Sequence, residues 1–166
     1  DAYTNVDDLK VYFQWENTSG NITNLAEDKG SSSSLGTGAD VVSGTFTDYE
    51  QTGIIEKCVG FDGYDDYGAL GTSLSQFNFF HGTGDWTVNF WIRLSSYVNE
   101  ARYFDNLSGT EESGITLRNG GSTTTLGIAV CNDSGEFMAN ADFSLDEALS
   151  TGEWHMITFT CDYSDA

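Results

Sequence analysis

The chain has 166 residues and a formal charge of −20, from 26 acidic residues against 6 basic ones. That length suits one domain, and 39% apolar residues, with 14% aromatic, supply a core, which argues against an intrinsically disordered chain. The charge opposes nucleic acid and anionic lipid as partners, and no run of 18 apolar residues offers a spanning helix. Neither nucleic-acid binding nor membrane insertion is therefore expected.

Leu9, Val11, Phe13 and Trp15 alternate with Lys10, Tyr12 and Gln14, which predicts a first strand. Residues 16–48 are rich in Gly, Ser, Asn and Thr, include Ser31-Ser32-Ser33-Ser34, and hold no sustained period. They read as a long connection inside a single domain over 1–166, and connections of that length are candidate contact surfaces. Residues 54–62 predict a strand, Asp62-Gly63 a tight turn, because glycine tolerates positive φ, and 67–70 the return strand.

Further along, Trp86, Val88, Phe90, Ile92 and Leu94 alternate strictly with Thr87, Asn89, Trp91 and Arg93, the period of a strand with one face in a core. Short strands are expected over 102–107 and 115–118. Asn119-Gly120-Gly121 and Asp133-Ser134-Gly135 mark the next two hairpins, with Leu126, Ile128 and Val130 alternating between them. Residues 144–149 place a Ser before acidic residues, which suits one helical turn, and 154–160 read as a closing strand. Short alternating segments with Gly and Asn turns predict an all-β, antiparallel two-sheet β-sandwich.

The three cysteines, Cys58, Cys131 and Cys161, follow no zinc spacing and fall in or beside predicted strands. They read as small buried hydrophobes, with a Cys131–Cys161 disulfide as the alternative. Four Asn-x-Ser/Thr sequences, at Asn17, Asn21, Asn106 and Asn132, are glycosylation acceptors in a secreted protein, but about half are expected by chance at this Ser and Thr content.

Taken in order, D-L-K-V-Y-F-Q-W, S-G-N-I-T-N-L-A, G-F-D-G-Y-D-D-Y-G-A-L, G-D-W-T-V-N-F-W-I-R and G-E-W-H-M-I-T-F-T resemble successive blocks of a laminin-G-like, concanavalin A-like jelly roll. The most specific blocks are F-D-G-x-D-D-Y, Phe61 to Tyr67, and G-x-W-H, Gly152 to His155. The resemblance implies two facing antiparallel sheets and a module that binds or scaffolds. Members of that family continue after the W-H-x-I-T-F-T strand, whereas this chain stops at Ala166 and does not begin with Met. The expectation is a chain missing its C-terminal strands, or one whose missing strands come from a neighbouring chain.

For chemistry, the Asp62, Asp65, Asp66 constellation admits two readings. Asp side chains can accept backbone N–H groups and fix the turn, or supply hard oxygen ligands to Ca2+, which takes six to eight of them. Trp91, Tyr97 and Tyr103 form a candidate carbohydrate platform, since sugars bind on exposed aromatic faces beside polar groups. Sandwich glycoside hydrolases of this kind carry E-x-D-x-x-E on one strand, and that spacing is absent. Glu111-Glu112 and Asp146-Glu147 are adjacent pairs, which a strand would point to opposite faces. His155 reads as a structural hydrogen-bonder and His81 as a solvated turn residue, so no catalytic residue is assigned. The expectation is a non-catalytic module at an extracellular, cell or virion surface, acting in adhesion, decoration or assembly through protein partners or self-association. Glycan binding, with or without Ca2+, is the alternative, and hydrolysis comes third.

Overall fold

The computed structural model describes residues 11–16, 25, 41–43, 48–64, 66–70, 80, 84–105, 114–131 and 137–162. The fold is all-β and antiparallel, with its strands divided among several sheets, as a jelly-roll or β-sandwich requires. The chain forms two compact units, Asp1–Phe77 and Asn78–Ala166.

In the first unit, β1 (Val41–Ser43) pairs with β4 (Gly68–Leu70), and β2 (Asp48–Thr52) pairs with β3 (Lys57–Gly60). The strand expected over 54–62 is thus shorter, because residues 53–56 form the hairpin loop, closed by the Gly53 N–H donating to the Glu56 carbonyl at 3.2 Å. The segment after the Asp62-Gly63 turn is a strand as expected, but it returns to β1 rather than to β3. β1 itself lies inside the stretch expected to be a plain connection. Its three residues are too few to carry a readable period.

Residues 11–16 correct another expectation, for they are not in a strand. Trp15 has φ 60°, a left-handed backbone that an extended ladder does not accommodate. The alternation there still serves burial. Phe13 and Trp15 are partly buried and meet edge to face at 5.7 Å, and Trp15 meets Phe61 at 6.1 Å. Leu9, Ser31 to Ser34, His81, Leu107, the Glu111-Glu112 pair, Asp133-Ser134-Gly135 and the four Asn-x-Ser/Thr asparagines lie outside the described residues.

Among the described residues, the second unit holds two sheets. β5 (Trp86–Arg93) pairs along its whole length with β10 (Trp154–Cys161). β6 (Arg102–Asp105), β7 (Gly114–Asn119), β8 (Thr125–Cys131) and β9 (Phe137–Ser144) form a four-stranded meander in chain order. Both arrangements follow the alternation and the Gly-rich turns. The sheets meet through rings: Phe90 packs on Tyr103 at 5.5 Å, and Phe80 packs against Trp86 at 5.2 Å and Phe104 at 5.8 Å. Ile115, Leu117, Leu126, Ile128, Val130, Ile157 and Phe159 complete this core.

β9 runs to Ser144, so the helical turn expected over 144–149 does not form. The backbone there is committed elsewhere: the Leu145 and Leu149 N–H groups donate to the Thr124 and Thr123 carbonyls at 2.7 and 2.8 Å. Leu149 is buried as a result. All three cysteines are thiols, so the Cys131–Cys161 disulfide is not formed. Burial pushes the Cys131 thiol pKa up, and burial followed by Asp85 and Asp162 does the same at Cys161.

Leu117 is fully buried at the middle of the meander. Leu117→Ala removes apolar contacts from a site hemmed in on both sides, and the expected loss is about 2–5 kcal/mol in urea unfolding followed by circular dichroism.

Candidate functional site

The acidic turn of the first unit is built by its own side chains. Gly63 has φ 76°, Asp62 Oδ1 accepts the Tyr64 N–H at 2.8 Å, and Asp66 Oδ2 accepts the Asp62 N–H at 2.8 Å. This is the turn-fixing arrangement, with Tyr64 left 92% exposed at the tip. Asp65 lies outside the described residues. Among the described residues, no group of three or more His, Cys, Asp or Glu side chains is placed to hold a metal ion.

The three aromatic residues proposed as a platform are not brought together. Trp91 is 46% exposed and sits on the outer face of β5, while Phe90, its neighbour on the inner face, packs against Tyr103. Trp91 and Tyr103, a residue of β6, therefore lie on opposite sides of β5. The Tyr103 hydroxyl donates a hydrogen bond to Asn119 Oδ1, whose side chain is fully buried. Tyr97 is half-buried, with its hydroxyl 2.7 Å from the Gly120 carbonyl oxygen and 2.5 Å from that of Ser122, clamping the β7–β8 turn. Of the three, Trp91 alone faces outward from a strand.

What surrounds Trp91 is set by strand register. Its cross-strand partner is Met156, 58% exposed, and the next pairs along the same face are Asn89 with Thr158 and Arg93 with Trp154. Asn89 Nδ2 donates to Thr158 Oγ1 at 2.6 Å, and the Arg93 guanidinium lies 5.3 Å from the Trp154 ring centre. The outer face thus presents two indoles, a thioether, an amide, hydroxyls and one guanidinium. Neither β5 nor β10 contains an Asp or Glu.

Beside β10 lies a concavity of about 450 Å³, lined by Leu126, Leu145, Leu149 and residues 154–158, with Asp146 and Glu147 also on its lining. His155 is held at its wall: Nε2 is 3.1 Å from the Ser150 carbonyl oxygen, which can only accept, so this nitrogen carries the proton. Ser150 Oγ donates to Glu153 Oε2 at 2.6 Å. The structural role expected of His155 is the one observed.

Residues 62–166 match the Laminin_G_3 family, described as the concanavalin A-like lectin/glucanases superfamily. The chain belongs to this superfamily. The matched span covers more than half of the chain, beginning at the acidic turn and including the whole of the second unit. No curated protein and no solved structure matches the chain. By its description the superfamily holds both lectins and glucanases, so membership carries the fold and leaves binding and hydrolysis to be decided by the site. Met156, Trp154 and the 145–149 segment were not legible as site residues in the sequence. The alternation of β10 does carry the signal: Met156, Thr158 and Thr160 are its outer set, but only pairing with β5 sets Met156 beside Trp91.

Burial, and to a lesser extent Tyr97, raises the Tyr103 phenol above its ordinary pKa of 10.0. The folded state keeps this proton after the unfolded chain has released it, so the stabilisation is complete below pH 10 and declines as pH rises through the elevated value. Urea midpoints measured from pH 9 to 12 should fall, and Tyr103→Phe should flatten that fall in part, since Tyr97 is raised by burial too. The same variant strips Asn119 Oδ1 of its donor and should cost about 1–3 kcal/mol at pH 7.

Proposed function

We propose that the protein is a non-catalytic carbohydrate-recognition module that serves adhesion or decoration at a cell or particle surface. The observation that carries this reading is the outward, 46% exposed Trp91 on β5, with Asn89, Thr158 and Arg93 within one register step or on its flanks. An indole offers the apolar face of a sugar ring a stacking surface, while amide, hydroxyl and guanidinium groups address its hydroxyls. Family membership supports the reading, because lectins share this fold.

The non-catalytic part rests on the carboxylates. Glycoside hydrolysis uses two of them about 5–10 Å apart across the scissile bond, and β5 and β10 supply none to the face that bears Trp91. Asp146 and Glu147 are neighbours in sequence on an exposed bend, a spacing that does not place one acid on each side of a sugar. Ca2+ belongs to the proposal at the acidic turn of Asp62, Asp65 and Asp66, whose oxygen donors are of the type it prefers.

An array of neutral and anionic glycans, probed at millimolar Ca2+ and again with chelator, tests this directly. Binding to at least one neutral glycan is expected, and Trp91→Ala should weaken it by at least tenfold, equivalent to about 1.4 kcal/mol. An empty array, or a Trp91→Ala protein that binds as the parent does, would refute glycan recognition at this face. Release of reducing ends from a β-glucan would refute the non-catalytic assignment alone.

A further inference from the structure

Asn119-Gly120 is the single Asn-Gly pair in the chain. Such a pair is labile in an unrestrained chain, because no Cβ shields the glycine nitrogen from the side-chain amide carbon. The nitrogen attacks that carbon, its proton and the amide NH2 depart together as ammonia, and the succinimide ring that remains takes up water to give aspartate or isoaspartate.

The fold demands both residues at this position. A Cβ on Gly120 would stand 2.3 Å from Thr125 Oγ1 and 2.7 Å from Thr125 Cβ, so glycine is required by close approach. Asn119 is fully buried and uses its amide in both senses, with Nδ2 donating to the Val98 carbonyl at 2.6 Å and Oδ1 accepting from the Tyr103 hydroxyl. The same contacts obstruct the reaction. Ring closure must swing the Gly120 nitrogen beside the Asn119 Cβ, away from the extended backbone that pairing with Leu126 maintains. That nitrogen is engaged, its N–H donating to the Thr125 carbonyl at 2.9 Å, and the Gly120 carbonyl accepts from the Tyr97 hydroxyl at 2.7 Å. Closing the ring would break these bonds together, in a place where both residues are buried from the water that completes the conversion.

We propose that Asn119-Gly120 is a modification site that the native meander keeps closed and unfolding opens, and that its conversion bars the chain from returning to the fold. Aspartate at this position puts a carboxylate against the Val98 carbonyl with no proton to donate, at the cost of an unpaired buried charge. Isoaspartate adds a main-chain methylene, which displaces the end of β7 from its register with β8. Unfolding is thus reversible only until this bond rearranges, and the lifetime of the fold is set by chemistry in the open state. The inference goes beyond glycan recognition and does not depend on it.

The test follows the whole chain at mildly alkaline pH, native and in urea, with tandem mass spectrometry reading the mass gain of deamidation at Asn119. Conversion in the native protein should be at least tenfold slower than in urea. Tyr103→Phe, confirmed as folded by circular dichroism, should convert faster than the folded parent, because Oδ1 loses its anchor. A half-converted urea sample is then diluted and separated by size exclusion, and the native fraction should retain Asn119 while the unfolded fraction carries the converted residue. Equal rates in the native and unfolded parent would overturn the guarded site, as would a folded Tyr103→Phe protein that converts no faster than the parent. Equal shares of converted chain in the two fractions would overturn the one-way step, and so would failure of the unconverted chain to refold.

Discussion

Ile115 and Leu117 point to one side of β7 and Thr116 to the other, yet all three are buried, and β8 beside them is buried through Leu126 to Cys131. A strand pair withdrawn from water on both faces must pair every backbone group and find a partner for every polar side chain, or lose more free energy than its apolar contacts return. The end of β7 illustrates how this is met. Asn119, fully buried, donates through Nδ2 to the Val98 carbonyl at 2.6 Å, donates its backbone N–H to the Ala101 carbonyl at 2.9 Å, and accepts from Tyr103. These bonds anchor the β5–β6 connection to the meander, and they account for why Tyr103 serves the interior.

The same requirement shapes the other side of the pair. Arg118 sits across β8 from Asp142, with Gly127 between them in register, and bonds Asp142 at 3.2 Å and Glu100 at 2.6 Å. A Cβ on Gly127 would stand 2.7 Å from the guanidinium carbon, so the missing side chain is what lets the charge lie over the strand. The pair is partly exposed and adds modest stability, but it keeps a cation and two anions satisfied where the surface is otherwise heavily negative.

Charge then separates surface from site. With 26 acidic residues in the chain, two neighbouring eight-residue strands without a single carboxylate, and with the Arg93 guanidinium among them, form a field free of negative charge in an acidic protein. A charge of this size repels polyanions at long range, whereas the indole, amide, hydroxyl and guanidinium groups of the β5–β10 face act at contact distance. Trp154, Met156 and Thr158 of this face also line the concavity beside β10.

Much of this could be read from residue order. Strict alternation in 86–94 identified β5 and its inner and outer sets, because a pleated strand sends neighbours to opposite faces whatever it pairs with, and 154–160 read as the strand that is β10. Glycine and asparagine turns located the meander, and Asp62-Gly63 announced its own hydrogen bonds, since Asx turns close within a few residues. Local rules failed where a distant segment took the backbone: 11–16 alternates but turns left-handed at Trp15, and 144–149 has a helical start but bonds to Thr123 and Thr124. Nor does any local pattern tell that β4 returns to β1, that Trp91 and Tyr103 are divided by a strand, or that Met156 stands beside Trp91. Face and period are properties of a single strand and are written in it. Partner, register and the cover over each face belong to pairs of strands far apart in the chain, and only the folded arrangement decides them.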